Sequence, residues 1–409
     1  MGRSNLRDKE AEGGYNIVQI TKDTFYFTER HPLSGKEKVW IKVPFQKHDY
    51  KETKSFPRPD FSINQLYPQV QPLWTFQSDA NVISTPAVAG NYVVFGNQNG
   101  MVQALHQKNG KIAWQFKTDE PIFSSPAVAG DKIVFASTDG FVYCLNIRGE
   151  KLWAMKTGAS VLGSPLTDSA VIYIGGSDHC YQALELQTGK PVWQYCTLNG
   201  PVVSRPVVND SVLLFGAWDT YLYALNKANG KLLWKWSNGS PVINYAPAAC
   251  IPVVQDGVVY IAAPDRYLTA IDVQTGKTIW RTNEATIRES IGLSEDGKLV
   301  YGKTMNDTIV AFYTNREKPA PAWRINAGFG YEHVPSKLIE KEGAVFFGIR
   351  NGVVYSIDSK GQKVNWAYKI DNFMVNTVKV LSGRSVIAAT MDGKVCLLQE
   401  KDLPAKTVH

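Results

Sequence analysis

Cysteine is scarce in this sequence and never clustered. The five thiols, Cys144, Cys180, Cys196, Cys250 and Cys396, include no Cys-x-x-C, which argues against a structural zinc site. An odd count without close neighbours also argues against a disulfide framework, so buried free thiols are the expectation. Histidine is sparse, with six residues and no H-E-x-x-H pair. No G-x-x-x-x-G-K-[ST] phosphate loop and no G-x-S-x-G nucleophile elbow occur. No apolar run approaches the ~18 residues of a membrane-spanning helix. A basic stretch running into an apolar leader is not seen at residue 1. The net charge of +7 comes from 44 basic and 37 acidic residues without a dense basic cluster, so nucleic acid is not an expected partner.

Tryptophan, in contrast, is plentiful and regularly placed. Eight of the eleven, Trp74, Trp114, Trp153, Trp193, Trp234, Trp280, Trp323 and Trp366, follow one another at steps of 40, 39, 40, 41, 46, 43 and 43 residues. A period near 40 is that of a propeller blade of four short strands. Gly-Lys stands shortly ahead of several of these tryptophans, as in Gly110-Lys111, Gly189-Lys190, Gly230-Lys231 and Gly276-Lys277. Within one period, short β-favouring runs are separated by Gly and Asn turns. S-T-P-A-V-A, Y-V-V-F-G, M-V-Q-A-L and I-A-W-Q-F lie in order between Ser84 and Phe116. No sustained 3.6-residue apolar period is present, so helices should be rare.

The fold predicted is all-β: an eight-bladed propeller of four-stranded antiparallel blades over 73–400. Trp74 precedes the first blade and no tryptophan strand follows the last. The strand around Trp74 should therefore pair beside the stretch near Cys396 and remove two sheet edges. Residues 1–46 read as a separate β segment, 47–72 as a proline-containing linker and 401–409 as a tail. The eight tryptophans should dock neighbouring blades, because a flat ring fills the gap between wedge-shaped sheets. Lys111, Lys151, Lys190, Lys231 and Lys277 read as solvated turn residues.

Ala270-Ile-Asp-Val-Gln-Thr-Gly-Lys-Thr-Ile-Trp280 and Ala224-Leu-Asn-Lys-Ala-Asn-Gly-Lys-Leu-Leu-Trp234 resemble the quinoprotein, or pyrroloquinoline-quinone-type, propeller repeat. The likeness covers about Leu73 to Leu398. Dehydrogenases of that group carry a neighbouring Cys-Cys pair and an acidic calcium site, and neither pattern stands in this sequence. The resemblance therefore implies the non-enzymatic, BamB-like members, which act as scaffolds in bacterial outer-membrane protein assembly. It implies an extracytoplasmic location and no cofactor, with pyrroloquinoline quinone and calcium disfavoured. The segments Gly2–Arg7 and Gly13–Val18 are similar to the C-terminal end of calcineurin-like metallophosphoesterase domains. That likeness implies an accessory, substrate-positioning role behind such a domain, and any membrane attachment would lie ahead of residue 1.

Turns on one face repeat, whereas the loops leading into the inner strands vary, and variation on a repetitive frame marks a binding site. Those loops and their companions supply the candidate funnel residues Arg205, Trp218, Tyr245, Arg288, Glu289, Glu332, His333 and Arg350. The arginines suit a carboxylate, phosphate or peptide acid. Trp218 and Tyr245 suit stacking. His333 beside Glu332 has the chemistry of a base, without a nucleophile nearby in sequence. The competing reading pairs Arg288 with Glu289, and Glu332 with His333, as polar lining around channel water. A monomeric binding module for a protein or small ligand is the function expected. A quinone-dependent oxidoreductase is the least favoured alternative.

Overall fold

A computed structural model describes residues 14–45, 59–382 and 384–401. The chain divides into two compact units, Met1–Arg58 and Pro59–His409. The segment Gly2–Arg7, residues 47–58 of the 47–72 stretch and the tail after 401 lie outside the described residues.

The first unit is a three-stranded antiparallel sheet of Tyr15–Ile20, Thr24–Arg30 and Glu37–Pro44. Its register sets Val18 opposite Phe27 and Ile20 opposite Phe25, and these in turn oppose Ile41 and Val43. Strand alternation thus gathers apolar side chains on one face. The other face is mixed: Ile17 and Val39 flank Thr28, Lys42 lies 5.4 Å over the Tyr26 ring, and Arg30 is 3.1 Å from Glu37.

The second unit is a propeller of eight four-stranded antiparallel blades. Blade 1 is Ala87–Ala89, Tyr92–Gly96, Met101–His106 and Ile112–Lys117. Blades 2 to 7 repeat that order and begin at Ala127, Leu166, Val207, Val253, Ile287 and Ile339. Blade 8 combines Lys379–Ser382, Ser385–Ala389 and Lys394–Glu400 with Val70–Gln77. Cys396 lies opposite Thr75 and Leu397 opposite Trp74, so the last blade takes its outer strand from ahead of the first. That strand starts at Val70, within the stretch read as linker. Ahead of it, Asn64 on the one-turn helix Ile63–Leu66 exchanges hydrogen bonds with the backbone of Lys369, 3.0 and 2.7 Å. Trp74, Val82, Phe95, Ile387 and Leu397 share one apolar cluster that joins blade 8 to blade 1.

The second and third strands of each blade are buried on both faces, since each sheet lies between two others. Phe135 opposes and stacks on Tyr143 in blade 2, Phe215 on Tyr223 in blade 4 and Phe347 on Tyr355 in blade 7, at 5.3, 5.5 and 5.3 Å. Each such ring contributes about 1.5–3 kcal/mol of burial, which cross-strand stacking supplements.

The rim explains the tryptophan ladder. Trp74, Trp114, Trp153, Trp193 and Trp234 donate Nε1–H to the carbonyls of Gln107, Ile147, Leu186, Lys227 and Val273 in the next blade, at 2.7–3.0 Å. Two to three residues after each carbonyl comes the turn glycine. A Cβ at Gly110, Gly149, Gly189, Gly230 or Gly276 would fall 2.4–2.7 Å from the indole of the preceding blade. Glycine is needed there twice over, for the ring's close approach and for a φ near +70°. The last blades depart from this. Trp280 reaches Asn315 O at 3.2 Å in a turn without glycine. Trp323 lies on Gly361, but its buried N–H has no partner among the described residues. Trp366 donates to the Glu400 carboxylate at 3.2 Å.

One sequence expectation is corrected. Cys180 and Cys196 form a disulfide with Cα atoms 4.0 Å apart. The register pairs Tyr181 with Tyr195, which sets the two cysteines opposite each other one step further on. Spacing along the chain conceals this pairing across a hairpin. Cys144, Cys250 and Cys396 are buried free thiols, as expected, and burial pushes each up to about 12. Such thiols are unreactive.

Candidate functional site: the axial channel

The site begins with a three-residue phrase in the sequence. Ser84-Thr85-Pro86, Ser124-Ser125-Pro126, Gly163-Ser164-Pro165 and Ser204-Arg205-Pro206 precede the inner strands of blades 1 to 4. The proline biases the middle residue to extended backbone. In the first position, Ser84 and Ser124 each clamp a second strand. Their Oγ atoms donate to the carbonyls of Gly96 and Ala136 and accept from the same residues' N–H, at 2.7–3.1 Å. Ser204 occupies the same position in blade 4, buried, with no hydrogen-bond partner for its Oγ among the described residues.

Middle residues of the phrase line the hub. Thr85 donates its N–H to Ser125 Oγ, and Ser125 its N–H to Ser164 Oγ, both at 2.9 Å. On the far side, Lys337 N–H donates to Thr377 Oγ1 at 3.0 Å. These contacts bridge adjacent blades around the axis. Blade 4 places Arg205 where its predecessors place a hydroxyl, and blade 7 places Lys337.

Residues from seven blades enclose a cavity of 640 Å³, among them Thr85, Ser125, Ser164, Arg205, Lys337 and Thr377. Lys379 also lines it, and a further 280 Å³ continues past Arg205 and Lys379. The carboxylate in its wall, Asp168, is taken by Lys227 at 2.7 Å. Among the described residues, no hydrogen bond or ion pair engages the Arg205 guanidinium or the Lys337 ammonium. Arg205 is exposed to the cavity, and desolvation by the surrounding protein lowers its pKa. Desolvation lowers Lys337 too, and the like charge of Arg205 lowers it further.

A small side hollow of 50 Å³ borders the channel and is lined by Glu289, Ser336 and Lys337. Glu289 is buried, and Arg288 Nε stands 3.3 Å from its Oε2 without hydrogen-bond alignment. Desolvation raises the Glu289 pKa, and Arg288 opposes the rise.

The remaining predicted residues lie elsewhere. Glu332 is buried, and its two oxygens accept the backbone N–H groups of Val334 and Arg350, both at 2.7 Å. It anchors two loops. His333 leans on Tyr331, rings 5.5 Å apart, and Arg350 covers the same Tyr331 at 5.6 Å. Behind them Lys303 is fully buried, with Nζ donating to Val334 O and Gly348 O at 3.1 and 3.2 Å. Burial depresses it to about 8 against the pull of Glu332. Tyr245 lines a separate 450 Å³ hollow with Arg266 and the Asp265–Arg281 pair. Trp218 is half-buried, and its backbone N–H donates to Pro201 O at 3.0 Å. Of the eight candidates, Arg205 alone lines the main cavity and Glu289 borders it. Lys337 and the hydroxyls of Thr85, Ser125, Ser164 and Thr377 were missed. The signal was present, since the phrase repeats and its middle letter changes from hydroxyl to arginine.

A groove of 690 Å³ lies at the rim between blades 8 and 1, with Lys108 as its one formally charged lining residue. Its other polar residues, Asn91, His106, Gln107, Ser382, Ser385 and Gln399, are uncharged, whereas the channel gathers Arg205, Lys337 and Lys379, so the channel is the better candidate.

Eight four-stranded blades, with a G-K-x-x-W turn at Gly110, Gly189, Gly230 and Gly276, make this chain a β-propeller of the pyrroloquinoline-quinone repeat type. The chain belongs to the family described as outer membrane protein assembly factor BamB, whose model matches residues 69–154, 121–217 and 182–402. No curated protein matches the chain by sequence. Among solved structures it is similar to BamB from Moraxella catarrhalis, with TM-score 0.66 and 20% identity over 81% of this chain and 99% of that one. Sqt1 from Saccharomyces cerevisiae gives TM-score 0.67 and 15% identity, with 81% and 99% covered. The quinohemoprotein alcohol dehydrogenase ADHIIG from Pseudomonas putida HK5 gives 0.66 and 13%, with 83% and 78% covered. At these identities the likeness concerns the fold.

The last of these raises the question of a quinone with calcium. Calcium requires several oxygen ligands converging on one point. Among the described residues no group of three or more His, Cys, Asp or Glu is placed to hold a metal ion. The channel offers cations and hydroxyls instead, and this donor set does not fit the metal.

Proposed function

We propose that this propeller is a non-catalytic binding module that docks a protein or small ligand in its axial channel. The observation that carries the reading is the pair of unpartnered cations, Arg205 and Lys337, held in a 640 Å³ cavity at the hub. Arg205 is exposed to the cavity and Lys337 half-buried, so both charges stand where a ligand can reach them, and charges converging in a concave site mark a binding site. Family membership supports a role in outer-membrane protein assembly and thus a protein partner at the channel. The Cys180–Cys196 disulfide supports an oxidising, extracytoplasmic location.

Affinity capture with the full chain as bait, wild type against Arg205→Ala and Arg288→Ala, tests this reading. Arg205→Ala should cut capture of the wild-type partner by about tenfold or more, the scale of a lost charged anchor. Its Tm should stay within about 1 °C, since the side chain supports nothing else. Arg288→Ala should weaken capture less, by freeing Glu289 beside the channel. Equal capture by wild type and Arg205→Ala would remove the reading.

A further inference from the structure

The channel carries donors and cations in excess of acceptors. Ser125, Ser164 and Thr377 each accept a backbone N–H at 2.9–3.0 Å, which occupies one lone pair. Among the described residues their own O–H groups have no acceptor. A hydroxyl rotates its hydrogen to suit a ligand, so three free donors stand at the level of Arg205 and Lys337. Beside them the buried Ser204 Oγ has lost the strand clamp that Ser84 and Ser124 make, and has gained nothing in exchange. The nearest carboxylates are engaged, Asp168 by Lys227 and Glu289 by Arg288. The volume lies within the ~300–1,000 Å³ of small-molecule sites.

From this geometry we infer an oxyanion site: Arg205 and Lys337 clasp the phosphate or carboxylate of a small molecule, and Ser125, Ser164 and Thr377 donate to its oxygens. This rests on the docking reading above and gives its ligand a chemical class. Arg205 supplies a planar fork for two oxygens, and Lys337 a compact point charge. Blades 4 and 7 hold these two cations, so an anion between them relieves the repulsion that now depresses Lys337. The hydroxyls serve as neutral donors that fix orientation without adding repulsion.

Isothermal titration of the full chain with inorganic phosphate, and separately with succinate, tests the inference at low salt. Saturable single-site binding of at least one titrant is expected, and which one binds tells phosphate from carboxylate. Binding should weaken about tenfold or more in Arg205→Gln and in Lys337→Gln, and about threefold in Ser164→Ala. Arg205→Lys should restore part of the loss. Affinity should fall as pH rises through the titration of Lys337, because only the ammonium holds the anion. Tm values no lower than wild type exclude misfolding of the variants. Absence of saturable heat with either titrant, or equal binding in Arg205→Gln and wild type, overturns the oxyanion site. If partner capture still depends on Arg205 in that case, the docking reading stands without it. If capture is also insensitive, both fall.

Discussion

The rim and the hub of this propeller follow opposite rules. At the rim, five consecutive blades make one contact with the same partners: an indole N–H to a turn carbonyl and the ring face to a turn glycine. At the hub, the equivalent position reads Thr85, Ser125, Ser164 and then Arg205, and Lys337 in blade 7. A side chain repeated around the ring serves the ring. A side chain that departs from the repeat without a partner among the described residues is, on the proposal above, there for a ligand. Free energy is thus gathered at the rim and conceded at the hub, as expected where a binding site is built into a stable frame.

The largest test of this contrast strikes the rim. Gly230→Val meets a positive φ of 70° and a Trp193 ring 2.4 Å from its new Cβ. Strain of about 1–3 kcal/mol adds to overpacking of about 1–3 kcal/mol, and denaturant unfolding should record the loss. Gly130→Ala makes the control, because its φ of +60° is similar and nothing stands within 4 Å of the new Cβ. It should cost about 1 kcal/mol.

A second test concerns Lys303, a buried cation that does have partners. Its folded pKa of about 8 lies below the ~10.4 of an unfolded lysine. The unfolded chain therefore binds the proton more tightly, and stability should rise as pH climbs from about 8 towards 10. Lys303→Met should flatten that slope in unfolding curves taken across this range. A slope unchanged in the variant would assign the effect to other groups.

The smallest effect separates two tryptophans. Trp114→Phe loses a hydrogen bond to Ile147 O and should cost about 1 kcal/mol beyond the change in ring size. In Trp323→Phe no hydrogen bond is lost, since that N–H is unpartnered, so it should cost less. Equal losses would show that the ring alone, not its N–H, docks the blades.

Much of the frame was legible, because repetition writes the same physical demand eight times. Trp74 opposite Leu397, the Gly-Lys turns and the scarcity of helix all follow from period and turn chemistry. The site was less legible for three physical reasons. Adjacency across blades is invisible in the chain, so Arg205 and Lys337 line one cavity although 132 residues apart (337 − 205). Polar side chains are claimed by backbone, so Glu332 anchors loops and leaves His333 to lean on Tyr331. Cross-strand register also hides pairs such as Cys180 with Cys196.

Thermal unfolding of Lys337→Met, measured together with partner capture, tests the division between hub and rim most directly. Methionine keeps the apolar stem and removes a desolvated charge that Arg205 repels. The account predicts a higher Tm and weaker capture. A lower Tm with capture unchanged would contradict it.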